Sequence, residues 1–270
     1  MIHLLQPPDK GNNDKEIKAP LPFRFFSIRI FPREHYHWKL GWESVSGDNH
    51  LSTLLRGEVL TALATFGHDK THKEAMRRFY LFLGDRNTTL LPADMRKAAY
   101  VAVMRNTSTM NRNGFESLLN VYREADAVQE KTRVLGSMAS CPDPDIVLEV
   151  LNFFLSDEVR DQDIVYGLLG ISLEGRETAW RWLKENWDII FHKWGSGILL
   201  THFIRDIVAL FCSNEKADEV EEFFASRDTT SIAMTLKHAL EQIRNKARWV
   251  ENIKREESIE GLIKALACRE

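Results

Sequence analysis

Apolar residues recur at helical spacing through most of this chain, from residue 50 to the C-terminus. The stretch DPDIVLEVLNFFL, residues 143–155, holds two neighbouring rows with a spacing of four: Ile146, Val150 and Phe154, and Val147, Leu151 and Leu155. This spacing predicts a helix with a broad apolar face. Pro144 suits the first helical turn, and Asp143 before it is a natural N-cap.

Similar helices recur as pairs along the chain. The pairs begin near residues 50, 92, 127, 161, 197 and 230, at successive offsets of 42, 35, 34, 36 and 33 residues. Each offset has room for a helix, a short turn and a second helix. The sequence therefore predicts an all-α fold with at least five antiparallel helix pairs, stacked as a superhelix like the HEAT or armadillo α-solenoids.

Residues 1–38 have a different character. Five of the eight prolines lie there, together with the apolar-basic run LPFRFFSIRIFPREHYH. Frequent prolines prevent a continuous helix, and FFSIRIF has no other predicted strand with which to pair. We expect residues 1–38 to be a poorly integrated leader and residues 39–270 to form the solenoid domain.

Composition excludes several classes of protein. The net charge of -3 argues against a nucleic-acid platform, and no apolar run approaches the roughly 18 residues of a membrane span. Pro7, Pro8 and Asp9 stand where a signal peptide would have its apolar region. The three cysteines are far apart and form no disulfide framework. A reducing compartment, the cytoplasm, is the expected location.

Two histidines in FGHDKTHKEAMRRF, residues 66–79, resemble a zinc-binding helix at first sight. His68-Asp69-x-x-His72 differs from H-E-x-x-H by one carboxylate type. However, Gly67 is a typical helix-ending residue, and Asp69 or Thr71 could cap the next helix, with Glu74 completing a capping box. His68 would then lie in a turn and His72 on the first helical turn. We therefore predict a helix boundary and no metal site.

The aromatic run AWRWLKENWDIIFHKWGSG has a simpler interpretation. Trp180, Trp187 and Trp194 recur every seven residues, with Leu183 and Ile190 between them. This spacing favours a buried seam over a ligand cage. No nucleophile elbow, phosphate-binding loop or dinucleotide fingerprint is present, so no catalytic residue is assigned.

One segment is a candidate binding surface. In GSGILLTHFIRDIVALF, residues 195–211, one face is apolar and consists of Leu200, Ile204, Ile207, Val208 and Phe211. The opposite face carries Thr201, His202, Arg205 and Asp206. This face is either simply solvated or lines the concave side of the solenoid, where His202 and Arg205 would hold a peptide. Arg205 could give a peptide carboxylate two charge-assisted hydrogen bonds. Alternatively, Arg205 simply pairs with nearby Asp206 or another surface acid.

From about Lys39 the chain resembles the C-terminal helical domain of puromycin-sensitive-type zinc aminopeptidases, in particular the plant members. The motifs that carry the resemblance are KLGW, LLRGEVLTALATFGH, EAMRRF, LPADMRKAAYVAVM, QEKTRVLGSMASCPDPDIVLEVLNFFLSDEVRDQD, EGRETAWRWLKENWD, WGSGILL and VEEFFASR. One departure is Thr201-His202, where relatives commonly read Ser-Arg. An imidazole there replaces a permanently charged guanidinium.

The resemblance implies a domain that closes over an aminopeptidase active site and forms part of its substrate cavity. The G-A-M-E-N and H-E-x-x-H motifs of that family are absent from these 270 residues. Zinc would be the cofactor of the parent family, and this chain alone is expected to be inactive. Two alternatives stay open: a non-catalytic scaffold that binds peptides or proteins, and a subunit that complements a separate catalytic fragment.

Overall fold

A computed structural model describes residues 41–43, 47–256, 258 and 261. Twelve α-helices account for most of them. They are α1 (His50–Thr65), α2 (Asp69–Gly84), α3 (Ala93–Arg105), α4 (Asn113–Glu124), α5 (Val128–Met138), α6 (Pro144–Phe154), α7 (Ile164–Leu169), α8 (Arg176–Glu185), α9 (Trp187–Trp194), α10 (Ile198–Ile207), α11 (Asn214–Ala225) and α12 (Ala233–Arg255). Two 3₁₀ turns, Asp161–Asp163 and Val208–Leu210, complete the regular structure of these residues. The leader and its FFSIRIF segment lie outside the described residues.

The all-α prediction is confirmed, since the described residues contain no β-strand beyond one isolated bridge between Ser108 and Asn111. Helices start within three residues of each predicted pair start. Two details differ from the prediction. The stretch from 161 to 197 contains a third helix, α9, and the last predicted pair is the single helix α12 in the described part of the chain.

One row of helices runs through the domain. The first helix of each repeat contacts the first helix of the next, in the order α1, α3, α5, α7, α10 and α12. Many side-chain hydrogen bonds likewise join residues about one repeat apart, as in His72 with Asn106, Arg112 with Glu149 and Lys184 with Glu219. This regular spacing supports the solenoid prediction, because each repeat of a solenoid packs on its neighbours. The superhelical curvature stays a prediction.

The boundary between α1 and α2 follows from local chemistry. Gly67 has a φ of 73°, the left-handed conformation that glycine adopts without strain. Its N–H donates to the carbonyl of Ala64, and the N–H of His68 donates to that of Leu63, which is a Schellman ending. The predicted cap was wrong: His68 is the N-cap, because its Nδ1 accepts the N–H of Thr71 at 3.3 Å. Glu74 pairs with Arg77 and Arg78 and does not complete a capping box.

The tryptophan seam is buried, as predicted. Trp180, Trp187 and Trp194 each expose less than a tenth of their surface. However, α8 ends at Glu185 and α9 begins at Trp187, so the seven-residue spacing crosses a helix boundary. Trp194 stacks on a ring from α10, and Trp180 and Trp187 make edge-to-face contacts with rings from α11, which gives the C-terminal half an aromatic core.

Candidate functional site

Helix α10 carries the predicted binding residues above a fully buried face. The apolar stripe is confirmed, because its five members are at most 1% exposed: Leu200, Ile204, Ile207, Val208 and Phe211. Phe203, which was not assigned to the stripe, is also buried and stacks on Trp182 and Trp194. This packing fixes the rotation of α10.

Asp206 corrects the sequence-based assignment of the polar face. Its side chain is only 5% exposed, so it does not lie on the solvent side. Arg205 Nε donates to Asp206 Oδ1 at 2.8 Å, and Arg205 Nη2 donates to Oδ2 at 3.2 Å. The buried carboxylate is thus neutralised by a neighbour whose own side chain stays 54% exposed. The hydrogen bond with Asp206 raises the pKa of Arg205 above its usual value, although burial acts in the opposite direction.

His202 completes a cluster of three polar side chains. Its Nδ1 lies 3.1 Å from Asp206 Oδ2 and 2.6 Å from Arg205 Nη2. As an acceptor, Nδ1 binds the Arg205 guanidinium, and as a donor it binds the Asp206 carboxylate. The His202 side chain is 19% exposed. The structure therefore brings the two predicted site residues together and adds Asp206 as the group that holds them.

Arg205 also lines a groove between α10 and α12. The groove has a volume of about 460 Å³. Its lining consists of Arg205 and Ala209 on one side and, on α12, of Met234, Thr235, Lys237, His238, Ala239, Glu241 and Gln242. The lining holds two cationic side chains, Arg205 and Lys237, and one acid, Glu241, and the buried Asp206 that pairs with Arg205 balances the second cation.

The α12 side of the groove was not identified from the sequence. Lys237 and Glu241, and likewise His238 and Gln242, are four residues apart and so share a side of their helix. The amide of Gln242 lies 3.2 Å from His238 Nε2. That spacing is visible in the sequence and indicates a polar helix face. Its position opposite Arg205 depends on the packing of α10 against α12, which spacing alone does not give.

His68 and His72 do not fit a zinc ion. His72 Nε2 donates to the carbonyl of Ala64 at 2.6 Å, and its Nδ1 accepts from Asn106 at 2.7 Å. Both ring nitrogens of His72 are thus occupied by protein groups, whereas a zinc ligand needs a free lone pair. His68 Nδ1 bonds to the Thr71 hydroxyl at 2.9 Å as part of its cap. The described part of the chain holds no group of three or more His, Cys, Asp or Glu side chains placed to bind a metal ion.

Among the helices that the structure describes, none has the length and apolar character needed to cross a bilayer. The longest, α12, carries charged residues throughout.

Comparison with known proteins identifies the relatives of this chain. The family model of the ERAP1-like C-terminal domain matches residues 33–245. Aminopeptidase M1 of Arabidopsis thaliana is 60% identical over 229 residues, which cover 85% of this chain and 26% of that protein. Aminopeptidase M1-B of Oryza sativa subsp. japonica is 50% identical over 227 residues, 84% of this chain and 26% of the relative. Aminopeptidase 2, mitochondrial, of Saccharomyces cerevisiae is 27% identical over 217 residues, 78% of this chain and 22% of the relative.

The chain spans about a quarter of the length of these curated relatives. The family model, by contrast, covers most of the chain, including α1 to α11 and the first half of α12. This chain belongs to the family of ERAP1-like C-terminal domains.

Proposed function

We propose that this chain is the substrate-cavity domain of a zinc-dependent aminopeptidase and has no catalytic machinery of its own. The family match and the relatives, which are named aminopeptidases, support this proposal. Zinc would belong to a catalytic domain of the parent family. In this chain His68 and His72 make hydrogen bonds at the α1–α2 boundary. The expected ligands are peptides, and the expected location is the cytoplasm.

The position of Arg205 is the main support for peptide binding. A guanidinium that is half exposed at a groove, yet held in place by a buried carboxylate, is oriented before a ligand arrives. Such pre-organisation reduces the ordering cost of binding. The Nη1 atom of Arg205 is not engaged by Asp206 or His202, so it is a donor for a peptide carboxylate. His202 would add attraction to a peptide carboxylate when its imidazole carries a second proton.

Peptide binding to the purified chain tests this proposal. We expect a short peptide with a free C-terminus to bind, and Arg205→Ala to weaken binding by about tenfold or more, as loss of a charge-assisted contact implies. Amidation of the peptide should remove most of that difference. Arg244→Ala is the matched control, because Arg244 is also a partly exposed arginine paired with acids, Asp218 and Glu221, outside the groove. Absence of peptide affinity, or equal loss in both variants, would contradict the assignment of Arg205.

Two further roles are compatible with the same packed domain: a peptide- or protein-binding scaffold, and a subunit that complements a separately encoded catalytic fragment. Zinc analysis and hydrolysis of aminoacyl-coumarin substrates separate these roles, when each is measured for the chain alone and after mixing with a catalytic aminopeptidase fragment. We expect the chain alone to bind no stoichiometric zinc and to hydrolyse no substrate, because water activation needs metal ligands and a general base. Activity that appears only on mixing with a catalytic aminopeptidase fragment would support complementation. Chelator-sensitive activity of the chain alone would contradict the proposal.

A further inference from the structure

The groove between α10 and α12 contains two charged side chains that are available to a ligand. Lys237 and Glu241 both line the groove, and both are exposed. Within the described part of the chain, neither side chain takes part in an ion pair or a side-chain hydrogen bond. They lie four residues apart on one side of α12, with the lysine first, which is the less favourable order for a helical ion pair. The groove therefore offers a ligand one positive and one negative group on the same helix.

The amide of Gln242 adds a second acceptor beside Glu241. Its Nε2 atom lies 3.2 Å from His238 Nε2, and an amide nitrogen can only donate, so the ring nitrogen accepts. This contact orients the amide and leaves its Oε1 atom without a hydrogen-bond partner among the residues that the structure describes. Two consecutive groove residues thus present a carboxylate and an amide carbonyl, which are the acceptors that an ammonium group requires.

Cationic donors lie on both sides of the groove. Arg205 on α10 keeps Nη1 for a ligand, because its Nε and Nη2 atoms are engaged by Asp206 and His202. Lys237 on α12 supplies a second cation. Asp206 balances the charge of Arg205, and Glu241 balances that of the lysine. The groove thus has no net charge but has separated charges, a pattern that matches a ligand that is neutral overall and charged at both ends.

We propose that this groove binds dipeptides with both termini free. The carboxylate of the dipeptide accepts hydrogen bonds from Arg205 and Lys237, and its ammonium group donates to Glu241 and Gln242. A dipeptide extends over at most about 7 Å, which is close to the roughly 5–6 Å between side chains four residues apart on a helix. A longer peptide bound by its carboxylate would carry its ammonium group past these acceptors.

The size and the apolar lining of the groove suit this ligand. Its volume of about 460 Å³ lies within the range of about 300–1,000 Å³ that is usual for small-ligand sites. Ala209, Met234 and Ala239 form the apolar part of the lining. Met234 is 77% exposed, and a methionine side chain adapts to ligands of different shape. We therefore expect dipeptides with different apolar side chains to bind with similar affinity.

The inference rests on the proposed function and adds recognition of the ammonium end to it. An aminopeptidase removes residues one at a time from the N-terminus of a peptide, so a dipeptide is the last peptide that remains before free amino acids. The ligand of the groove would thus be a late product of the parent enzyme.

Titration of the full chain with alanyl-leucine, followed through the NMR signals of the dipeptide, tests this proposal. We expect the N-acetyl form and the C-terminal amide each to bind at least about fivefold more weakly, as loss of a charge-assisted hydrogen bond implies. Glu241→Gln should weaken binding of the free dipeptide by a similar factor and leave binding of the N-acetyl form unchanged. Glu251→Gln is the matched control, because Glu251 is exposed on the same helix and does not line the groove.

Three results would overturn the proposal. The first is equal affinity for alanyl-leucine and its N-acetyl form, and the second is unchanged affinity in Glu241→Gln. The third is an equal loss in Glu241→Gln and Glu251→Gln, which would assign the effect to the overall charge of α12. If Arg205→Ala still weakened binding of a longer peptide with a free C-terminus, the proposed function would stand without this inference. Absence of binding by both the dipeptide and the longer peptide would contradict both.

Discussion

Gly136 on α5 and Gly170 at the end of α7 bring two helices of the row into backbone contact. A Cβ atom on Gly170 would overlap the carbonyl oxygen of Gly136, a backbone atom that cannot rotate away. Gly170 has a φ of -85°, so alanine is allowed there by backbone conformation and is excluded only by this contact.

Gly170→Ala should therefore destabilise the protein by about 1–3 kcal/mol, the usual cost of overpacking. Urea denaturation measures this change. Gly84→Ala is the control, because a Cβ at Gly84 meets no atom within 4 Å. That substitution should be neutral or stabilise by up to about 1 kcal/mol, since alanine reduces the entropy of the unfolded chain. Similar effects of both substitutions would contradict the close approach of α5 and α7.

Trp187→Ala should lower the free energy of unfolding by about 3–5 kcal/mol, as for other buried aromatic residues. The indole of Trp187 is 4% exposed and packs on Phe191, Phe223 and Phe224. Thermal denaturation provides the measurement. Trp249→Ala is the matched control, since Trp249 is 56% exposed, and should change stability by no more than about 0.5 kcal/mol. An unchanged melting temperature for Trp187→Ala would indicate that the seam is not structural.

Glu219 should make stability depend on pH in the acid range. Burial acts to raise the pKa of Glu219, but hydrogen bonds from Lys184, Lys216 and Trp180 outweigh it and lower the pKa from 4.5 to about 2. A lowered pKa in the folded state means that the stabilisation is complete above about pH 4.5. It is lost as the pH falls from there toward 2.

Because Glu219 is about a third exposed, screening by solvent should limit its contribution to about 1 kcal/mol. Glu219→Gln should lower the unfolding free energy by this amount at pH 7 and by about half of it or less at pH 3. Glu222→Gln, an exposed glutamate on the same helix, serves as the control and should have little effect at either pH. An equal loss at both pH values would show that the carboxylate charge is not the stabilising feature.

Cys141 should resist thiol reagents in the folded protein. Burial raises the pKa of this thiol to about 11, so at pH 8 only about one molecule in a thousand carries the reactive thiolate. Cys212 is only partly buried and provides an internal control. We expect labelling of Cys212 in native buffer, and of both residues in urea. Rapid native labelling at Cys141 would contradict its burial against the carbonyl of Thr107.

The sequence predicted the all-α fold because apolar spacing reports directly on which side of a helix is buried. The same rule placed the apolar stripe of α10 correctly, and the preference of aspartate for the N-cap position placed the cap at Asp143. It did not predict burial of Asp206, because a carboxylate can be buried once a neighbouring arginine pairs with it. His68 was not predicted as the N-cap because histidine is not among the residues usually preferred there.

The break between α8 and α9 was also missed, because the helical spacing of apolar residues continues across Asn186. In the structure, Asn186 turns its amide back to the carbonyl of Trp182 and ends α8. The groove beside Arg205 could not be predicted from the sequence for a different reason. Its two sides are separated by about 30 residues, and only the packing of α10 on α12 brings them together.

The regular spacing of contacts between repeats has a kinetic consequence. The helix pairs that pack on each other in the described part of the chain are neighbours in sequence or lie about one repeat apart, so no long loop must close before the first contacts form. Folding can begin at any well-packed pair of repeats and spread to its neighbours. The aromatic core around Trp187 joins α9 to α11, so we expect its amides to be among the last to lose protection against hydrogen exchange.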